Sequence, residues 1–328
     1  MNIHHEGPLA NSISLYLAHK RALGKRLEKT GPMLRLLDVH LVEQDVQEIS
    51  QISQAHLEGF LSFRPRRSAR SYNELLGMVR RFFDWLVKQE KCVISPLRCS
   101  PRRVSAARQP FLFSSEQVRS LLDLAQQLHR NPQFPDRGET YRMIFAILYG
   151  LGLRVGEVCR LQRQDIDLNQ QLLVIRKTKF GKSRLVPFGP RMARAISDYL
   201  HRAEANGSTL VPDCPIFFFD RDKRQPIRPT TVSRTFHDLV VRLNLAVPAG
   251  VAPPHLHCLR HSFAVGTLLR WYRAGVDPMT RLFDLSTFLG HVSPSSTAVY
   301  LTITPELLEC ASQRFAHFAA ASRKEGAR

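Results

Sequence analysis

Acidic residues are scarce in this chain: 28 Asp and Glu face 47 Lys and Arg over 328 residues, leaving a formal charge of +19. A deficit of that size implies a polyanionic partner. The excess is spread, with 18 basic against 10 acidic residues in 1–110 and 29 against 18 beyond, so both halves are cationic. A membrane-surface protein would more often gather such charge on one amphipathic helix, whereas a protein gripping nucleic acid from two sides needs it on both. Long apolar runs are also missing. The longest, Met143 to Leu153, contains Gly150 and Gly152 and is about half of a bilayer-spanning length, so it reads as a buried helix. No Cys-x-x-Cys pair occurs among Cys92, Cys99, Cys159, Cys214, Cys258 and Cys310, which argues against a disulfide framework and for reduced thiols. His4, His5 and Glu6 stand where a secretory leader would be apolar, so a cytoplasmic, DNA-associated location with no membrane contact is expected. Gly181-Lys182-Ser183 imitates the end of a phosphate-binding loop, but Arg176 occupies the position of the required first glycine. His255, His257, Cys258 and His261 lack a recognisable spaced ligand pair, so no metal or other cofactor is expected. Internal repeats and low-complexity tracts are absent too.

What is present reads as mainly helical, in two domains, because a chain this long exceeds the size at which a single core keeps growing. Apolar residues recur every three to four positions between 10 and 92, through Ile13, Leu17, Leu34, Leu37, Leu41, Leu57, Phe60, Leu75, Val79, Phe82 and Leu86, predicting four or five helices. Arg64, Arg66, Arg67 and Arg70 crowd the entrance to the last of these and are placed for phosphate contacts. Residues 99–110, with Pro101 and Pro110, Arg102, Arg103 and Arg108, and no acid, read as a basic strap between domain 1–98 and domain 111–328. Ser114-Ser115-Glu116-Gln117 ahead of Val118, Leu121 and Leu122 predicts a capped helix opening the second domain. Leu172–Ile175 and Arg184–Pro187 predict a small hairpin with the polar segment 176–183 at its tip. Helices then resume near Arg191, Thr231, His257, Pro278 and Ser296, with a last one from Pro305 to about Ala320.

The residues that carry chemistry are dispersed. A phosphodiester is anionic and repels nucleophiles, so guanidinium groups must neutralise its non-bridging oxygens as charge builds. Arg154 and Arg260 supply two. Tyr300, a phenol whose resting pKa is about 10, becomes a nucleophile only where positive charge stabilises its phenolate. The sugar oxygen it expels needs a proton, for which Lys179 at the hairpin tip is the candidate donor, with Lys182 nearby as a DNA contact. His257 and Arg260 are three apart and share a helix face, as do Arg154 and its supporting carboxylate Glu157. Ser293-Pro294 would cap a helix that carries Tyr300 nearly two turns in, with His291 just before it.

In this order the residues resemble the tyrosine recombinases of the phage integrase family. The match runs through Gly152-Leu153-Arg154 with Glu157, then Thr178-Lys179-Phe180-Gly181-Lys182-Ser183-Arg184-Leu185-Val186-Pro187, then His257-Cys258-Leu259-Arg260, then Leu289-Gly290-His291, then Thr297 and Tyr300. The resemblance implies a helical, SAM-like core-binding domain joined to an integrase-type catalytic domain. It implies strand cleavage and rejoining on double-stranded DNA through a 3′-phosphotyrosyl intermediate, without metal or nucleotide. It further implies a homotetramer on two DNA sites, with the option of other recombinases joining, a C-terminal docking helix and a mobile-element setting. Phe180 stands where the family commonly has glycine, Lys177 and Lys182 flank Lys179, and the stretch from Arg260 to His291 is longer than in many relatives. Each residue taken singly is ordinary: Arg154 a surface ion-pair former, His257 and His261 structural histidines, Lys179 a solvated charge, Tyr300 a core aromatic. Their joint order is what points to catalysis, with His261 left as structural or supporting. Two other functions fit the same pattern less fully: a topoisomerase-like nicking-closing enzyme, and a DNA-binding accessory protein that never cleaves.

Overall fold

The computed structural model describes residues 7–25, 27–63, 68–105, 108–129, 134, 136–176, 183–206, 211–218, 225–302, 308–309 and 312–313. The chain divides into two compact units, Met1–Ala107 and Arg108–Arg328.

The first unit holds helices α1 (Ala10–Ala22), α2 (Thr30–Val42), α3 (Gln54–Phe63) and α4 (Ala69–Lys88). Ser68 caps α4 by accepting the Ser71 N–H at 3.2 Å, and one apolar stripe of that helix, Leu75, Leu76, Val79, Phe82, Phe83 and Leu86, is buried. Around it Tyr16 sets its ring edge-on to Phe82 and Trp85, with centroids 5.3 and 5.4 Å apart. The stretch 99–102, expected to be linker, is part of this unit. Asn73 donates to the Arg102 carbonyl and accepts its N–H at 2.8 and 2.7 Å, Arg80 donates to the Cys99 carbonyl at 2.7 Å, and the Arg102 guanidinium lies 3.9 Å from the Tyr72 ring centre. Gln109 belongs to the second unit, where it pairs with Gly250 and Ala252 at 3.0 and 2.8 Å. These side-chain anchors act over long sequence separations that local composition does not reveal. Arg70 in the first turn of α4, Arg102 and Arg103 are exposed; Arg64, Arg66 and Arg67 lie outside the described residues.

The second unit opens with α5 (Ser115–Gln126), capped reciprocally: Ser114 accepts the Gln117 N–H at 3.2 Å and Gln117 accepts the Ser114 N–H at 3.0 Å. At its centre is α6 (Arg137–Gly150), buried through Met143, Ile144, Phe145, Ile147 and Leu148. After the one-turn α7 (Val155–Val158) comes an antiparallel sheet in the order β1 (Ile166–Asp167), β2 (Leu172–Ile175), β3 (Arg184–Pro187), with Ile175 opposite Arg184. β1 is one strand more than the sequence suggests, because two residues are too few for an alternating pattern to show. The hairpin tip, with Lys179 and Lys182, lies outside the described residues. There follow α8 (Pro190–Ala205), α9 (Pro229–Leu243), α10 (Cys258–Arg273), α11 (Leu282–Leu289) and α12 (Ser295–Ala298). α6 packs against α5, α8 and α10, which fixes α10 to the middle of the unit. Tyr300 sits in a 3-10 turn, Val299–Thr302, rather than two turns into a regular helix, and Pro294 rather than Ser293 is the cap position of α12. The expected helix from Pro305 to Ala320 falls almost wholly outside the described residues. No helix among those described is long and apolar enough to cross a membrane.

Candidate active site

Three chain segments that are remote in sequence meet at the start of α10. Glu157 is the hub. It faces inward from α7, its side chain only 3% exposed, and accepts the Arg154 N–H at 3.0 Å, Arg154 Nη1 at 2.9 Å, and both terminal nitrogens of Arg184 at 2.9 Å each. Burial by itself would raise the pKa of this carboxyl, but the Arg184 hydrogen bonds and charge, followed by those of Arg154, overcome it and hold the pKa at about 2. The carboxylate is therefore charged at every physiological pH.

The arginines are also held by backbone carbonyls. Arg154 Nη2 donates to Gly290 at 2.8 Å, Arg184 Nε to Phe288 at 2.9 Å, and Arg260 donates to Gly152 at 2.6 Å and Leu289 at 2.8 Å. Gly152 and Gly290 both take left-handed backbone, φ +59° and +67°, which turns the chain where these carbonyls face the guanidinium groups. A side-chain carbon at Gly290 would stand 2.8 Å from Arg184 Nη1, and one at Gly152 would stand 2.5 Å from the Phe263 ring, so neither position has room for it. Arg260 is buried, at 1% exposure, and its Nε finds no hydrogen-bond partner among the described residues. Burial, then the charge of Arg154, lowers its pKa to about 10, still high enough to keep it cationic at neutral pH. Arg154 is a third exposed and forms the open edge of the cluster.

Tyr300 closes the site from the other side, packed among Ala264, Val265, Leu268, Leu285 and Leu289 at 4% exposure. Its hydroxyl lies 2.9 Å from Nδ1 of His261. The His291 ring is nearly parallel to the phenol, at 20° and 6.3 Å between centres, and is itself oriented by a 2.7 Å contact between its Nδ1 and Thr297 Oγ1. His257, at the cap of α10, meets His261 edge-on at 4.7 Å. Burial first, and then the neighbouring imidazoles and guanidinium groups, push His257 down to about 3 and His261 and His291 to about 4, so all three imidazoles are neutral at pH 7. Burial raises the phenol of Tyr300, opposed by the charges of Arg260 and Arg154. Such an arrangement suits an anionic ester, with buried cations for the ester oxygens, neutral imidazoles to accept or relay a proton, and a phenol as nucleophile.

Of the residues singled out in the sequence, Arg154, Glu157, His257, Arg260, His291 and Tyr300 are gathered here, while Lys179 is outside the described residues. Arg184 is an addition, and His261, left in the sequence as structural or supporting, touches the phenol directly. Both left a signal: strand alternation places Arg184 on the same face as the fully buried Val186, and His261 follows His257 by one helical turn.

Fold and site together define a DNA strand-transfer enzyme of the tyrosine-nucleophile class. Residues 112–306 match the family model described as the phage integrase family. The integrase/recombinase y4rB of Sinorhizobium fredii is 34% identical over 92% of this chain and 95% of its own length, and the tyrosine recombinase XerA of Thermococcus kodakarensis is 30% identical over 75% and 76%. Among solved structures, the Tn1549 transposon integrase in complex with circular intermediate DNA covers 93% of this chain and 98% of its own at a TM-score of 0.62 and 17% identity, a likeness of fold. The chain belongs to the phage integrase family, and it is a site-specific tyrosine recombinase, an enzyme that cleaves and rejoins DNA.

Proposed function

We propose that Tyr300 attacks a backbone phosphorus of double-stranded DNA to give a 3′-phosphotyrosyl ester, while Arg154 and Arg260 bind the non-bridging oxygens. Lys179 protonates the departing 5′ oxygen, His257 and His291 hydrogen-bond to the reacting phosphate, and Glu157 keeps the arginines in register. The ester conserves the energy of the broken bond, so rejoining needs no nucleotide. The observation that carries this reading is the gathering of Arg260, Arg154, His261 and His291 around one phenol, with the buried Arg260 Nε finding no hydrogen-bond partner among the described residues. Each guanidinium has five N–H groups and spends only part of them on protein acceptors, leaving donors for an incoming phosphate.

The first unit, through Arg70, Arg102 and Arg103 together with Arg64, Arg66 and Arg67, supplies DNA-backbone contacts as a core-binding domain. The active assembly is a homotetramer on two duplexes. It serves a mobile element, in keeping with the transposon integrase whose fold the chain shares. The deciding experiment uses nicked duplexes that the protein itself selects from a random pool. A covalent protein–DNA adduct is expected with the wild-type chain and none with Tyr300→Phe; an equal adduct from that variant removes the nucleophile assignment.

A further inference from the structure

We propose that His261 takes the proton from the Tyr300 hydroxyl as the phenol attacks phosphorus, and gives it back when the strand is rejoined. The inference rests on Tyr300 being the nucleophile. Its ground is the geometry around one oxygen. Arg154 and Arg260 have only N–H donors and cannot receive a proton. The Nδ1 atom of His291 is engaged by Thr297 at 2.7 Å, and its ring lies nearly parallel to the phenol with 6.3 Å between centres. His261 Nδ1 stands 2.9 Å from the oxygen, within the reach required of a general base.

The histidine is well supported for this task. It sits on α10 next to Arg260, so the proton acceptor and the phosphate-facing guanidinium are parts of one rigid element. His257 meets its ring at 89° and 4.7 Å, which restricts rotation. The groups that face it are Tyr300 from the 3-10 turn, His255 from the segment before the helix, and His257 and Arg260 on its own helix. Burial, followed by His255 and Arg260, keeps it neutral at pH 7, and the proposed step uses the tautomer that carries its hydrogen on Nε2, in which Nδ1 accepts.

In the forward step the bond from Tyr300 Oη to phosphorus forms and the O–H bond breaks toward His261 Nδ1, giving an imidazolium. The bond from phosphorus to the 5′ oxygen breaks, and that oxygen takes its proton from Lys179. Rejoining runs these transfers backwards: the 5′ hydroxyl loses its proton, attacks phosphorus, and Oη leaves with the proton held by His261.

The test measures single-turnover adduct formation by the full chain on selected nicked duplexes, one set carrying an ordinary 5′ oxygen and the other a bridging 5′ sulfur, a leaving group that needs no acid. In His261→Asn the amide oxygen can stand near the place of Nδ1 and accept the phenol's hydrogen bond, but it cannot keep the proton. The expected result is a loss of about 10²-fold or more on both substrates, with duplex binding unchanged and rejoining slowed by the same factor. Wild-type rates would make His261 a mere support, and rescue by the sulfur substrate would assign it to the leaving group; either overturns the proposal. Should His261→Asn bind DNA poorly, His261→Ala with added imidazole decides: a rate that climbs with free-base imidazole supports the assignment, and a flat one refutes it. Tyr300→Phe run alongside separates the two ideas, since an adduct persisting there would defeat the nucleophile itself.

Discussion

Replacing Glu157 by Gln is the sharpest probe of how this site is held together. The carboxylate receives four hydrogen bonds at 2.9 to 3.0 Å, three from guanidinium nitrogens and one from the backbone. An amide offers one oxygen and points an NH2 at the remaining donors, so at least one donor faces another donor, and Arg154 and the half-buried Arg184 lose their counter-charge. A fall in pKa from about 4.5 to about 2 corresponds to about 3 kcal/mol of native-state stabilisation at neutral pH. Removing one member of a buried pair costs about 3–5 kcal/mol, which agrees in size. For a unit of this length that is a drop in melting temperature on the order of 10 °C. The pH dependence carries a second signature. Because the carboxyl is more acidic folded than unfolded, its contribution is complete above pH 4.5 and disappears as the pH falls toward 2, and Glu157→Gln should lack that acid-side loss. Calorimetry of the full chain between pH 2 and 7 reads both. A variant that melts within about a degree of the wild type and keeps the same acid limb would show that the charge is not what binds the arginines.

Two further outcomes follow from the same contacts. Gly290→Ala places a methyl group on left-handed backbone and 2.8 Å from Arg184 Nη1; the conformation alone costs roughly 1–2 kcal/mol, and because the Gly290 carbonyl holds Arg154, single-turnover cleavage should fall about 10²-fold with DNA affinity nearly intact. Arg184→Lys keeps the charge but loses the two-pronged contact with Glu157 and the bond to Phe288, so cleavage should drop by at least tenfold while the salt dependence of DNA binding stays as in the wild type.

Local chemistry made most of the fold legible. The apolar stripe of α4, the Ser114–Gln117 capping box of α5 and the two long strands of the hairpin are each written within a dozen residues, and periodicity or capping is enough to read them. What escaped depends on partners far away in sequence. Arg102 looks like linker until Tyr72 and Asn73 are seen beneath it, and the 3-10 turn of Tyr300 is set by its packing on α10 rather than by its own residues. The site divides in the same way. Arg154, Arg260, His291 and Tyr300 could be named because their motifs are compact, and Lys179 could be named without being located. Arg184 and His261 stand inside two of those motifs, yet their contacts, to Glu157 27 residues away and to Tyr300 39 residues away, exist only in the folded chain.

Those contacts explain why the motifs have the form they do. Gly152 and Arg154 lie in one word of the sequence, Leu289, Gly290 and His291 in another, and Arg260 in a third. Gly152 does not serve Arg154: its carbonyl holds Arg260, 108 residues on, while the carbonyl that holds Arg154 comes from Gly290, 136 residues on. Each arginine is thus oriented by a glycine that belongs to another motif, and the Arg260 guanidinium spans the two glycine turns by bonding Gly152 and Leu289 together. A guanidinium aimed by side chains alone would lose rotamer entropy each time it met a phosphate; one tied to carbonyls on rigid turns has lost it already on folding, so more of its interaction with the developing charge is left for lowering the barrier. The arginines, the turns that aim them and the helix that carries Arg260 and His261 therefore behave as one part, which predicts that changes at the glycines and at Glu157 act on the chemical step rather than on the grip of the protein on DNA.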